Sequence, residues 1–129
     1  MSETIFSKII AGEIPAHKIY EDDRVLAFLD IFPKNEGHTL VIPKKSVEFL
    51  WDMEDADYEY LMLVSKRIAR HLRVSLPYQY VSMKVVGTDV PHAHVHLIPF
   101  NVDDSSSHRE PVQVDDAELA KLAQKLKLR

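Results

Sequence analysis

Apolar residues recur at helical spacing in some segments of the chain and at every second position, or without interruption, in others. Ile5, Phe6, Ile9 and Ile10 predict a short helix that stops at Gly12, with Pro15 just beyond. His17 to Glu21 and Arg24 to Asp30 read as a β-hairpin turning at Asp22-Asp23. In its second strand Val25, Ala27 and Leu29 alternate with Leu26 and Phe28, which predicts burial of both faces. The turn-rich Pro33-Lys34-Asn35-Glu36-Gly37 leads into a third strand, His38 to Ile42, stopped by Pro43.

Ser46 predicts an N-cap for a short helix over Val47 to Trp51. A longer helix is expected from about Asp55 or Asp57, with an apolar stripe of Tyr58, Leu61, Met62, Ser65, Ile68, Ala69 and Leu72. Lys66, Arg67, Arg70 and Arg73 fill its other side and suit the negative end of the helix dipole. Pro77 ends that region. Tyr78 to Val86 reads as a fourth strand, the run from Val90 to Pro99 as a fifth, with Gly87-Thr88-Asp89 between them. Asn101 to Glu110 predicts a polar, mobile loop. Asp115 or Asp116 then caps a last helix carrying Leu119, Leu122, Ala123 and Leu126 on one face. The layout is an α+β domain, an antiparallel sheet with helices on one side.

At 129 residues the chain is one domain by length. An apolar content of 46% and a charged content of 28% are those of an ordinary globular protein. The absence of cysteine excludes disulfides, thiolate metal sites and a cysteine nucleophile, so any zinc site has to use histidine and carboxylate. A net charge of −4 gives no reason to expect duplex nucleic acid as a partner. Lys121, Lys125, Lys127 and Arg129 read as a solvated helix face rather than a phosphate-tracking patch. No apolar run approaches a membrane span, and Met1-Ser2-Glu3-Thr4 lacks the features of a secretory signal, so a cytoplasmic location is expected.

The chemistry concentrates in the fifth strand. His92, His94 and His96 alternate with Ala93, Val95 and Leu97, and a period of two puts three imidazoles on one face and the apolar residues on the other. Three readings fit that pattern: a nucleophile with two supporting imidazoles, a zinc site, or strand histidines bonded to backbone or solvent. Asp30, closing an apolar strand, suits either two hydrogen bonds to a ribose diol or a simple turn cap. His38 is structural unless it reaches the other three. Phe6, Ile9 and Phe28 suit a purine or a plain core.

Four ordered segments give these residues a common context. His92-Ala93-His94-Val95-His96-Leu97-Ile98 resembles the signature of the histidine triad (HIT) family. Residues Thr4 to Ala16 resemble the family's amino-terminal stretch, Leu26 to Ile31 its nucleotide-contacting strand end, and Gly37 to Lys44 its second signature. The resemblance spans residues 4 to about 99. It implies a HIT-like fold around a five-stranded antiparallel sheet, with residues 1–100 as the HIT domain. Residues 101–129 would add a polar loop and an amphipathic helix to the same domain.

The resemblance also implies a homodimeric nucleotide hydrolase or transferase acting at the α-phosphorus of a nucleoside 5′-phosphate derivative. The expected substrate is an adenosine 5′-phosphoramidate. A dinucleoside polyphosphate hydrolase, or a nucleotide- or zinc-binding module without turnover, is the alternative. His94 would be the nucleophile that forms a nucleotidyl-histidine, with His92 orienting it and His96 donating to the phosphate. His38 would support the cluster. Asp30 would hold the ribose, Phe6, Ile9, Phe28 and Ile31 would line the base pocket, and Gly87, Thr88 and Asp89 would lie against the phosphate. No metal or other cofactor is implied. The chain departs from the family pattern in a short Gly87-Thr88-Asp89 loop, which puts an acid near the phosphate, and in Ser46, where a histidine is common.

Overall fold

A computed structural model describes residues 3–102 and 114–128. Their elements are α1 (Ile5–Ile10), β1 (Lys18–Glu21), β2 (Val25–Leu29), β3 (Thr39–Pro43), a 3-10 turn (Leu50–Asp52), α2 (Asp55–Ser75), β4 (Tyr80–Lys84), β5 (Val95–Phe100) and α3 (Asp116–Leu126). The strands form one antiparallel sheet in the order β1-β2-β3-β5-β4. Of the polar loop expected over 101–110, residues 103–110 lie outside the described residues.

Local chemistry accounts for the element ends. Thr4 and Ser7 close α1 with a reciprocal capping box, each side chain accepting the other's backbone N–H. Gly12, at φ +81°, turns the chain away after α1. Asp22 Oδ1 accepts the N–H groups of Arg24 and Val25 and so fixes the β1–β2 turn.

Alternation sorts the strand residues onto two faces. Val25, Ala27, Leu29, Val41, Val95 and Leu97 join the stripe of α2 and the apolar face of α3 in the larger core. Leu26, Phe28, Leu40 and Ile42 point the other way and are covered by Phe6 and Ile9 of α1. Helices therefore lie on both faces of the sheet, not on one as the sequence layout suggested. All five residues of β2 are buried, and α1 supplies the cover that its second face requires. Burying such side chains is worth about 1.5–3 kcal/mol each against leaving them exposed.

Alpha3 is held at its ends as well as by packing. The His17 ring meets Asp116 at 2.8 Å, His71 Nε2 donates to the Leu126 carbonyl at 2.9 Å, and the Leu128 N–H donates to Ile19 at 2.7 Å. The helix expected over Val47 to Trp51 does not form. Ser46 caps nothing there, because the Val47 carbonyl accepts the Ala93 N–H at 2.7 Å and holds that stretch extended. Among the described residues no helix is long and apolar enough to cross a membrane.

Candidate active site

The loop between β2 and β3 sets the first histidine. Gly37 lies at φ +86°, and a Cβ there would come within 2.5 Å of Leu76 Cδ1. Asn35 Nδ2 donates to the Pro99 carbonyl at 3.0 Å and its own carbonyl accepts the His38 N–H. His38 is thereby held just before β3, 2% exposed, on the face that carries Leu40.

The three alternating histidines do not share a strand ladder. Beta5 begins at Val95, so only His96 is paired in the sheet, opposite Leu40 of β3 and Lys84 of β4. Pro91 has no N–H to offer, and the Ala93 N–H is taken by Val47, so the ladder cannot extend back. The segment keeps its alternation even so. Ala93 and Val95 enter the larger core, while His92 and His94 turn to the α1 side and meet the edge of Phe6 at 5.9 and 5.0 Å between ring centroids.

Hydrogen bonds fix which nitrogen of each ring carries its proton. The Lys34 N–H donates to His38 Nδ1 at 3.1 Å, so the proton of neutral His38 is on Nε2. That Nε2–H donates to His96 Nδ1 at 2.9 Å, which leaves the His96 proton on Nε2, facing outward as a donor. His94 runs the opposite way. Its Nδ1–H donates to the His92 carbonyl at 2.7 Å, leaving a lone pair on a buried Nε2 that has no hydrogen-bond partner. The group that orients His94 is thus the His92 carbonyl; the His92 ring donates from Nε2 to the Pro43 carbonyl at 2.8 Å.

Burial keeps the His38, His92 and His96 rings neutral. It is the main cause that holds His38 down at about 3 and His96 at about 4, with neighbouring histidines and the Lys34 and Lys84 ammonium groups acting in the same sense. His92 is lowered as well, again mainly by burial. Asp30 stands just past β2. One of its oxygens accepts the Phe32 N–H at 2.9 Å and the other lies 3.6 Å from His38 Nε2. Burial raises its pKa, and the nearby Asp89 carboxylate adds to the rise. Asp30 and His38 also border a cleft of about 480 Å³ whose far wall is α3; His92, His94, His96 and Asp89 do not line it, so it is separate from the histidine cluster.

The remaining expected site residues fall into two groups. Phe6, Ile9 and Phe28 are packed together in the smaller core, and Ile31 is exposed. Gly87 takes φ +82°, Thr88 is exposed, and Asp89 reaches back so that Oδ1 is 3.3 Å from His94 Nε2. The Lys34 N–H and the carbonyls of Pro43 and His92, which set the tautomers, are main-chain groups that no residue type announces.

Among the described residues two sets of ligand atoms are close enough to hold a metal ion: Asp30, His38 and His96, and Asp89, His94 and His96. The tautomers oppose both. His38 has no free lone pair, and His96 offers a proton where a ligand needs a lone pair. Reversing His96 would set the His38 Nδ1–H against the Lys34 N–H.

A family model described as HIT domain matches residues 11–102. An uncharacterized HIT-like protein of Borreliella burgdorferi is 43% identical over 106 residues, covering 77% of this chain and 76% of its own. The crystal structure of a zinc-bound histidine triad family protein from Mycobacterium smegmatis superposes with a TM-score of 0.82 at 34% identity, covering 95% of this chain and 91% of that one. A hypothetical histidine triad nucleotide-binding protein from Sulfolobus tokodaii strain7 gives a TM-score of 0.82 at 26% identity, covering 95% and 88%.

Proposed function

The chain belongs to the HIT domain family, and from that premise we propose that it is a cytoplasmic nucleotide hydrolase that cleaves adenosine 5′-phosphoramidates through a nucleotide bound covalently to His94. The observation that carries this reading is the buried Nε2 of His94, which has no hydrogen-bond partner, lies 3.3 Å from the Asp89 carboxylate and keeps its lone pair because Nδ1–H donates to the His92 carbonyl. A neutral imidazole so held is a competent nucleophile, and the hydrogen bond strengthens as positive charge forms on the ring.

The remaining roles follow the tautomers. His94 Nε2 attacks phosphorus, the P–N bond breaks with its electron pair going to nitrogen, and the amine leaves after taking a proton from solvent. Water then attacks phosphorus and gives up a proton to solvent, the P–Nε2 bond breaks with its electron pair returning to His94, and nucleoside 5′-monophosphate is released. In both steps the His96 Nε2–H donates to a phosphate oxygen, and His38 holds that proton in place. Asp30 takes the ribose hydroxyls, Phe6, Ile9, Phe28 and Ile31 the base, and Gly87, Thr88 and Asp89 the phosphate region. The nucleotide-binding name of the Sulfolobus tokodaii protein agrees with this reading. The zinc-bound Mycobacterium smegmatis relative favours a metal site instead, which the His96 tautomer opposes.

We also propose a homodimer. Beta4 is an edge strand, and Tyr80 and Met83, with Val85 and Val86 beyond it, are exposed apolar residues that a second copy would cover beside α2.

Incubation with a fluorogenic adenosine phosphoramidate tests the mechanism. The parent protein is expected to release the amine and, in rapidly quenched mixtures, to carry one adenylyl group on His94 by mass spectrometry. His94→Ala is expected to do neither. Equal release by both proteins would discredit the assigned nucleophile.

A further inference from the structure

Asp89 is an unusual neighbour for a nucleophile that must meet an anionic phosphate. Its Oδ1 is 3.3 Å from His94 Nε2, about the separation at which phosphorus has to stand for attack. The His94 side chain is fully buried, whereas that of Asp89 is 60% exposed. The carboxylate therefore lies at the solvent-exposed mouth of the site, and phosphorus reaches Nε2 only when that oxygen gives way towards the mouth. A group leaving phosphorus in line departs away from Nε2, towards that mouth.

The surrounding charge sharpens the point. Asp89 acts on Asp30 strongly enough to help raise its pKa, so two carboxylates flank the place of the substrate phosphate. Lys34 opposes that rise at Asp30, and at His96 Asp89 acts against the Lys34 and Lys84 ammonium groups. A polyphosphate leaving group would bring several more negative charges against Asp89. A leaving group with a positive charge would find a counter-ion there.

We propose that Asp89 makes the site selective for the charge of the leaving group, favouring nucleoside phosphoramidates whose departing amine carries a second, cationic nitrogen and disfavouring anionic leaving groups. The inference rests on the nucleotide-hydrolase reading above and narrows it. It also separates this site from dinucleoside polyphosphate hydrolysis.

Three adenosine 5′-phosphoramidates of equal chain length test it: one built on a diamine with a free terminal ammonium, one on a simple alkylamine, one on an ω-amino acid with a free carboxylate. For the parent protein, kcat/KM should fall in that order, by about 10-fold per unit of charge at low salt. Asp89→Asn, which keeps the shape of the side chain, should compress the series to within about 3-fold, while Asp89→Glu should keep its order. The same spread in the parent and in Asp89→Asn, or no spread in the parent, would overturn the proposal while leaving the hydrolase reading intact. No turnover of any of the three by the parent protein would overturn both.

Discussion

Acid should loosen this protein through histidines that the fold keeps neutral. His38 and His96 ordinarily titrate near 6.5, but burial holds them at about 3 and about 4 in the folded chain. Below pH 6.5 the unfolded chain takes up a proton on each, and the folded chain does not. Their contribution is therefore intact above 6.5 and is lost as pH falls from there towards 4 and 3. Each group costs about 1.4 kcal/mol per pH unit, so a drop from 6.5 to 5 removes about 4 kcal/mol from the pair.

Carboxylates interfere little over that range. Glu21 and Asp22 are lowered, so their contribution is lost only below their unfolded values, near 4. Asp30 is raised and works in the opposite sense, gaining a proton more readily in the fold and offsetting part of the loss. Urea unfolding at pH 7 and pH 5 and constant ionic strength checks the balance. With a slope typical of a small domain, the midpoint should fall by about 2 M. His38→Gln removes one of three lowered rings, His92 being the third, and should reduce the pH-dependent part of the shift by about a third. A midpoint that is the same at both pH values, or an unchanged shift in His38→Gln, would refute the reasoning.

Three further outcomes follow. Gly37→Ala places a Cβ against Leu76 at a positive φ and should cost about 2 kcal/mol or more, read as a lower melting temperature with the histidine cluster disturbed; an unchanged melting temperature would contradict the described loop. Met83→Glu on the exposed edge strand should convert a dimer to monomer in sedimentation velocity at micromolar concentration, and a parent protein already monomeric there would remove the proposed dimer. Zinc at about ten equivalents should leave the melting temperature within about 1 °C, because linkage would raise it visibly for any site of micromolar affinity; a clear rise would show that the His96 tautomer can be reversed.

Much of this architecture is legible in period alone. The uninterrupted apolar run of β2 announces burial on both faces, and the 3.6 period of α2 selects Leu61, Ser65, Ile68 and Leu72, all buried. The side to which α1 packs is not in its stripe, since Phe6 and Ile9 would suit either face. Alternation places His94 and His96 on one side correctly, yet it cannot tell an extended segment from a paired strand; that difference lies in the partner of the Ala93 N–H. The same bond removes the helix that Ser46 suggests. Residue types bring His38 under notice, but its contact with His96 spans 58 positions and depends on how β3 pairs with β5. The direction of each proton lies still further from the sequence, because peptide groups set it.

Peptide groups stand at both ends of the imidazole row, an amide at Lys34 and a carbonyl at His92. Neither changes charge with acidity, neither is screened by dissolved ions, and neither is altered when a codon changes. The polarity of the row is therefore written into the path of the chain. Substitutions can retune what surrounds these rings, position 89 included, without turning round the nitrogen on which each one carries its proton.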